Sequence, residues 1–202
     1  AHQIDDLLFI HAGVSPEMEG SDVPSINRCA TAELARFDGY SELMVASNMC
    51  QPTSSVREMA ELVAQEIDYI NSLPKKKRNS NNPRVAQLLE LQQLTKLSSW
   101  SVLTVNGPIW FRGTTMWNEK DKAAEMKAIL DSLGVRRMIT GQGIKEERAI
   151  RTRFNDRVLL TSVDLVDGPY GGGGPPAALE IDDGVYSVVS LNARDILIDE
   201  KR

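Results

Sequence analysis

A chain of 202 residues, 42% hydrophobic and 25% charged, matches an ordinary globular domain with a sizeable core, which argues against wholesale disorder and against a disulfide-stapled mini-protein. The formal net charge of −5 gives no global drive toward nucleic acid or anionic membranes and leaves only local basic patches for such partners. No run approaches the roughly 18 apolar residues of a membrane span, and the start AHQIDDLLFIHAG carries acids where a secretory leader would be basic.

The first apolar run, Leu7-Leu8-Phe9-Ile10, is short and ends at His11-Ala12-Gly13, which predicts a buried strand running into a tight turn. Val23 to about Met49 reads as two short helices broken at Asp38-Gly39. Ser55 and Glu58 stand at capping-box spacing ahead of Val56, Met59, Leu62, Val63, Ile67 and Ile70, so an amphipathic helix is expected up to Pro74. The run PKKKRNSNNP over 74–83 offers nothing apolar to bury and is expected to be a mobile loop. Its cations Lys75, Lys76, Lys77 and Arg78 form a weak candidate for nucleic-acid contact, with a solvated loop as the plainer reading. Val85 to Leu97 predicts a core-facing helix with Leu88, Leu91 and Leu94 on one face and Leu89 and Leu97 beside it.

Beyond Asn106-Gly107-Pro108 the pattern changes. A helix is expected over 119–133, stopped by Gly134 in the left-handed cap position. Strands follow at 135–140 and 157–161, then a Gly171–Pro176 turn, then strands at 178–181 and 185–189 joined across Gly184 as a hairpin. One helix followed by closely spaced strands implies an α/β layered domain, a mixed sheet packed with helices. The whole is read as a single partial domain, with a helical insert at about 23–105 and a strand-rich part at about 107–191. Cys29 and Cys50 lack CxxC or disulfide-framework spacing and read as reduced structural thiols, a weak sign of a soluble intracellular protein.

Three segments, LLFIHAGVSPE at 7–17, GPIWFRG at 107–113, and VRRMITGQGI with RFNDRVLLTSVDLVDGPYGGGGPPAALEI within 135–181, resemble in the same order the C-terminal half of calcineurin-like metallophosphoesterases. Within that family the segments resemble those of bacterial-type, Shewanella-like protein phosphatases, with their HGG or HAG, GPLWYRG, VVGHT, VILIDTGM and YGG-x-x-ALEI motifs. The resemblance implies half of a β-sandwich with flanking helices. It also implies a site for two divalent transition metals (manganese, iron or zinc) that activate a hydroxide for attack on phosphorus.

The departures from that pattern bear on activity. GDxHG, GDxxDRG and GNHE, which supply the first-half ligands in the family, are missing from the chain. His11 matches the histidine of the HGG turn, but Gln142 stands at the GHT position, and a carboxamide is a weaker ligand than imidazole for such metals. Ser162-Val163-Asp164 replaces DTG. Arg112 matches the arginine of GPLWYRG and is the phosphate-binding candidate, its guanidinium fork suited to phosphate oxygens, with pairing to an acid as the alternative. Trp110 and Trp117 read as packing anchors.

The expectation is a metallophosphoesterase-like protein inactive on its own, without a cofactor as it stands. It would serve as a structural or binding subunit, with another protein chain completing or covering the half-fold. The alternative is a metal-dependent phosphatase for phosphoprotein or another phosphomonoester, if another segment or chain supplies the first half, with His11 and Gln142 as metal ligands.

Overall fold

The computed structural model describes residues 1–77, 83–142, 150–162 and 176–201. The chain divides into two compact units, one formed by residues 1–27 and 105–202, the other by residues 28–104.

The strand-rich unit is built on a five-stranded mixed sheet of β1 (His2–Ile4), β2 (Leu7–Ile10), β3 (Arg137–Thr140), β4 (Arg151–Arg153) and β5 (Val158–Leu160), ordered β1-β2-β3-β5-β4. The central three strands run parallel, and each edge strand is antiparallel to its neighbour. Parallel strands are covered on both faces, and the burial of the strands follows from that. Leu8, Ile10, Met138, Val158 and Leu160 on one face join a cluster with Val23 and Ile26 of α1 (Val23–Ala46). Met126, Ile129 and Leu130 of a later helix, Glu119–Ser132, belong to the same cluster. Ile139 and Leu159 on the other face meet Tyr186 and Ile198 of a second sheet, with Leu7, Phe9, Leu179 and Ile181 packed around them.

That second sheet is an antiparallel meander of β6 (Ala177–Asp182), β7 (Val185–Ser190) and β8 (Arg194–Asp199). Its first turn is Asp183-Gly184, with left-handed φ of 44° and 78°, as a two-residue hairpin with the right-handed twist of its strands requires. The layers are therefore helix, mixed sheet, antiparallel sheet, and the fold class is α/β. Strands β1, β4 and β8 have no counterpart in the expected elements. Each is short or mostly exposed, so the hydrophobic alternation that reveals a strand is faint in them.

An ionic cluster ties the two sheets at the starts of β2 and β3. The guanidinium of Arg137, which is 9% exposed, donates to the Asp156 carbonyl (2.9 Å), to Tyr186 Oη (3.2 Å) and to the Glu200 carboxylate, and it lies over the Tyr186 ring. Arg136 pairs with both Asp6 (2.7 Å) and Glu200 (2.8 Å). Burial pushes the Glu200 carboxyl up, but the hydrogen bonds from Arg137 and Arg136 outweigh it and hold the group below the usual glutamate range.

The helical unit contains most of α1, then α2 (Val56–Ser72), α3 (Pro83–Leu91) and a 3₁₀ segment, Gln92–Ser99. α1 runs unbroken for 24 residues through Gly39, where two helices were expected. A glycine inside a helix costs about 1 kcal/mol, which burial of neighbouring Tyr40 and Met44 outweighs. The capping box of α2 is present in full: Ser55 Oγ accepts from the Glu58 amide, and Glu58 accepts from the Ser55 amide at 2.7 Å. Leu88, Leu91 and Leu94 are buried as expected, whereas Leu89 is 60% exposed. Lys75–Lys77 form a single 3₁₀ turn, while Arg78 lies outside the described residues. No helix among the described residues is long and apolar enough to cross a membrane.

Candidate functional site at the carboxyl edge of the mixed sheet

In open α/β sheets the carboxyl ends of the parallel strands form the usual ligand edge. Here β2, β3 and β5 end in register, Ile10 opposite Thr140 and Thr140 opposite Leu160. The three following turns carry His11, Gly141-Gln142 and Thr161-Ser162, so the fold brings His11 to the same edge as Gln142 and Ser162, which lie more than a hundred residues further along the chain. Asp164 and the Gly171–Gly174 run lie outside the described residues.

The turns are fastened chiefly through main-chain atoms. The Gln142 amide donates to the His11 carbonyl (2.9 Å), which also accepts from Thr140 Oγ1 (3.2 Å). The Thr161 amide donates to the Thr140 carbonyl at 2.8 Å, and Thr161 Oγ1 donates to the same oxygen at 3.1 Å. Thr140 is fully buried, which makes these bonds dear to lose.

The 107–113 segment docks on the turn after β2. The Ala12 amide donates to the Pro108 carbonyl (3.2 Å), and Thr114 Oγ1 donates to the Ala12 carbonyl (3.0 Å). Asn106 Nδ2 donates to Glu17 at 2.6 Å. Two close approaches explain glycines: a Cβ on Gly13 would stand 2.8 Å from Thr114 Cγ2, and one on Gly113 only 2.2 Å from Phe111 Cζ. Gly113 opens α4 (Gly113–Met116), one turn ahead of α5 (Glu119–Ser132). Helix α5 ends with Gly134 at φ 66°, its amide bonded to the Asp131 carbonyl and the Val135 amide bonded to Leu130, a complete Schellman closure. Trp117 meets Phe111 edge-on at 5.2 Å and packs on the core, as a packing anchor should. Trp110 differs from that expectation, being 48% exposed.

Arg153 of β4 holds the corner between α4 and α5. Its Nε donates to Glu119 Oε1 (2.8 Å), Nη1 to the Thr114 carbonyl (2.7 Å), and Nη2 to the Trp117 carbonyl. Arg112, at the N-cap of α4, is exposed, and among the described residues its guanidinium has neither an ion-pair nor a hydrogen-bond partner. The pairing with an acid that was its alternative role is thus not seen there.

At the edge itself His11 is exposed and Gln142 half-buried, with Gln142 Oε1 sheltered from solvent and, among the described residues, without a hydrogen-bond partner. An open hollow of about 500 Å³ lies beside His11, lined among others by His2, Phe9, His11, Ile139, Gly141 and Thr161. His2 is the residue that sequence reasoning missed. Its strand β1 is three exposed residues with almost no hydrophobic signal, and only the observed register, a two-residue turn at Asp5-Asp6 that pairs Ile4 with Leu7, carries His2 back to the far end of the hairpin.

The donor set fits a two-ion centre poorly. His11 supplies one imidazole and Gln142 a neutral amide oxygen, and among the described residues no three His, Cys, Asp or Glu side chains converge closely enough to hold an ion. Two ions bridged by hydroxide need several carboxylate or imidazole ligands each. Comparison with known proteins finds no match: no family model, no curated protein and no solved structure matches the chain.

Proposed function

We propose that this chain is a metallophosphoesterase-like module without a complete catalytic metal centre of its own, serving as a structural or binding subunit that another protein chain completes or covers. The observation that carries the reading is the carboxyl edge, where His11, Gln142 and Ser162 occupy three adjacent turns fastened by main-chain bonds, with one imidazole among them. The layer order fits half of a sandwich, and the docking of 107–113 on 7–17 joins two of the segments that carry the resemblance. In such a module the edge binds and presents, and any hydrolytic chemistry depends on ligands brought by the partner. The unpartnered Gln142 Oε1 favours the second reading, a phosphatase formed with that partner, in which the amide oxygen takes one ligand position beside His11.

The two are separated by measuring metal content and phosphomonoester hydrolysis of the chain in its native assembly. Little bound transition metal and activity unchanged by His11→Ala support the non-catalytic module. Two tightly bound ions, with activity lost in His11→Ala, refute it.

A further inference from the structure

We propose that the hollow where the end of α1, the middle of α2 and the start of α3 meet is a site for a small zwitterion, a free α-amino acid with an apolar side chain. The hollow measures about 500 Å³, and its walls include Asn48 and Met49 after α1, Leu62 and Glu66 of α2, and Arg84 and Gln87 of α3, all within the helical unit. That volume suits a small molecule held by a few convergent polar groups.

The charges at the hollow are opposite and adjacent. Arg84 Nε donates to Glu66 Oε1 at 2.5 Å, and Nη2 lies 2.5 Å from the same oxygen. Glu66 Oε2 has no hydrogen-bond partner among the described residues. The Glu66 side chain is 18% exposed and that of Arg84 62%, so the carboxylate belongs to the wall and the guanidinium to the rim. A pair so open to water is weak, and a ligand carrying both charges can take its place without a large loss.

The helix ends have the same polarity. Helix α1 closes with Asn48 at φ 54° and the Met49 amide bonded to the Met44 carbonyl at 2.8 Å, and no basic residue in its last turn offsets the negative end of its dipole. Helix α3 brings its positive, amino end to the hollow at Pro83 and Arg84. An amino acid answers both signs from one carbon. Its ammonium group is held by Glu66 and the Asn48 carboxamide oxygen, its carboxylate by the Arg84 guanidinium, and its side chain lies against Leu62 and Met49. Gln87 Nε2 donates to Ser47 Oγ, which ties α3 to the end of α1 and fixes that wall before a ligand arrives. The site does not rest on the phosphoesterase resemblance, because none of the matching segments enters residues 28–104.

The test is calorimetric titration of the full chain with L-leucine, and with its two halves in charge, isoamylamine as the cation and isocaproate as the anion. Saturable leucine binding is expected, with each half-ligand and each of the variants Glu66→Gln and Arg84→Gln weaker by at least about tenfold. No saturable leucine binding up to about 10 mM overturns the site. Isoamylamine binding as tightly as leucine overturns the zwitterion, as does leucine binding that either variant leaves unchanged. An NMR titration of the wild type needs no variant: the side-chain amide resonances of Asn48 and Gln87 should move together as leucine saturates, and movement of neither refutes the proposal. Failure here leaves metal content and the effect of His11→Ala, which test the proposed function, untouched.

Discussion

Replacing Gly113 by alanine sets two effects of opposite sign against each other. Gly113 lies in helical backbone, so alanine should gain up to about 1 kcal/mol of propensity, and less in so short a helix as α4. The added methyl, however, would sit 2.2 Å from Phe111 Cζ, 2.7 Å from Phe111 Cε1 and 2.8 Å from Trp117 Cε2. Phe111 is only 5% exposed and held edge-on against Trp117, so neither ring can retreat without opening the contact between them. Overpacking of this kind costs about 1–3 kcal/mol, and the net effect should be a loss of about 1–2 kcal/mol. Gly39 provides the control, since a Cβ there meets nothing within 4 Å in the interior of α1. Gly39→Ala should stabilise by about 0.5–1 kcal/mol. Urea denaturation followed by far-UV circular dichroism, with midpoints compared at constant slope, measures both. If Gly113→Ala proves as stable as wild type, or shifts in the same direction as Gly39→Ala, the close approach does not govern that position.

Ser55→Ala removes the oxygen that caps α2 and should destabilise by about 0.5–2 kcal/mol in the same denaturation assay, whereas Ser55→Asp, which keeps a capping oxygen, should retain most of the wild-type stability. Because the Glu200 carboxyl is held low in the folded protein, its pairing with Arg136 and Arg137 contributes stability above the unfolded glutamate pKa and loses it as pH falls through the folded value. Glu200→Gln should therefore be less stable than wild type at neutral pH, with the gap closing below about pH 4 in thermal melts. A gap independent of pH would assign the effect to packing.

What the sequence disclosed was what neighbouring residues decide among themselves. The Ser55–Glu58 box, the Gly134 closure of α5 and the Asp183-Gly184 hairpin are local bargains of backbone and side chain, legible in a few letters. The break expected at Gly39 did not occur because Tyr40 and Met44 are buried, and burial is a tertiary fact. The corner clamp of Arg153 likewise depends on partners more than thirty residues away, and β4, whose partner β5 is near in sequence, is only three residues long and so too short for alternation to reveal it. At the candidate site, His11 and Gln142 were legible from motif order, whereas His2 became visible only through the register of an exposed edge strand that carries almost no hydrophobic signal.

Fastening the carboxyl-edge turns chiefly through amides and carbonyls has a further consequence. A histidine, glutamine or serine can be exchanged there without removing the Gln142–His11 and Thr161–Thr140 main-chain bonds that hold the strand ends in step. Scaffold and chemistry are thereby separable under mutation. Side chains at this edge can therefore change in identity while the platform that presents them stays in place.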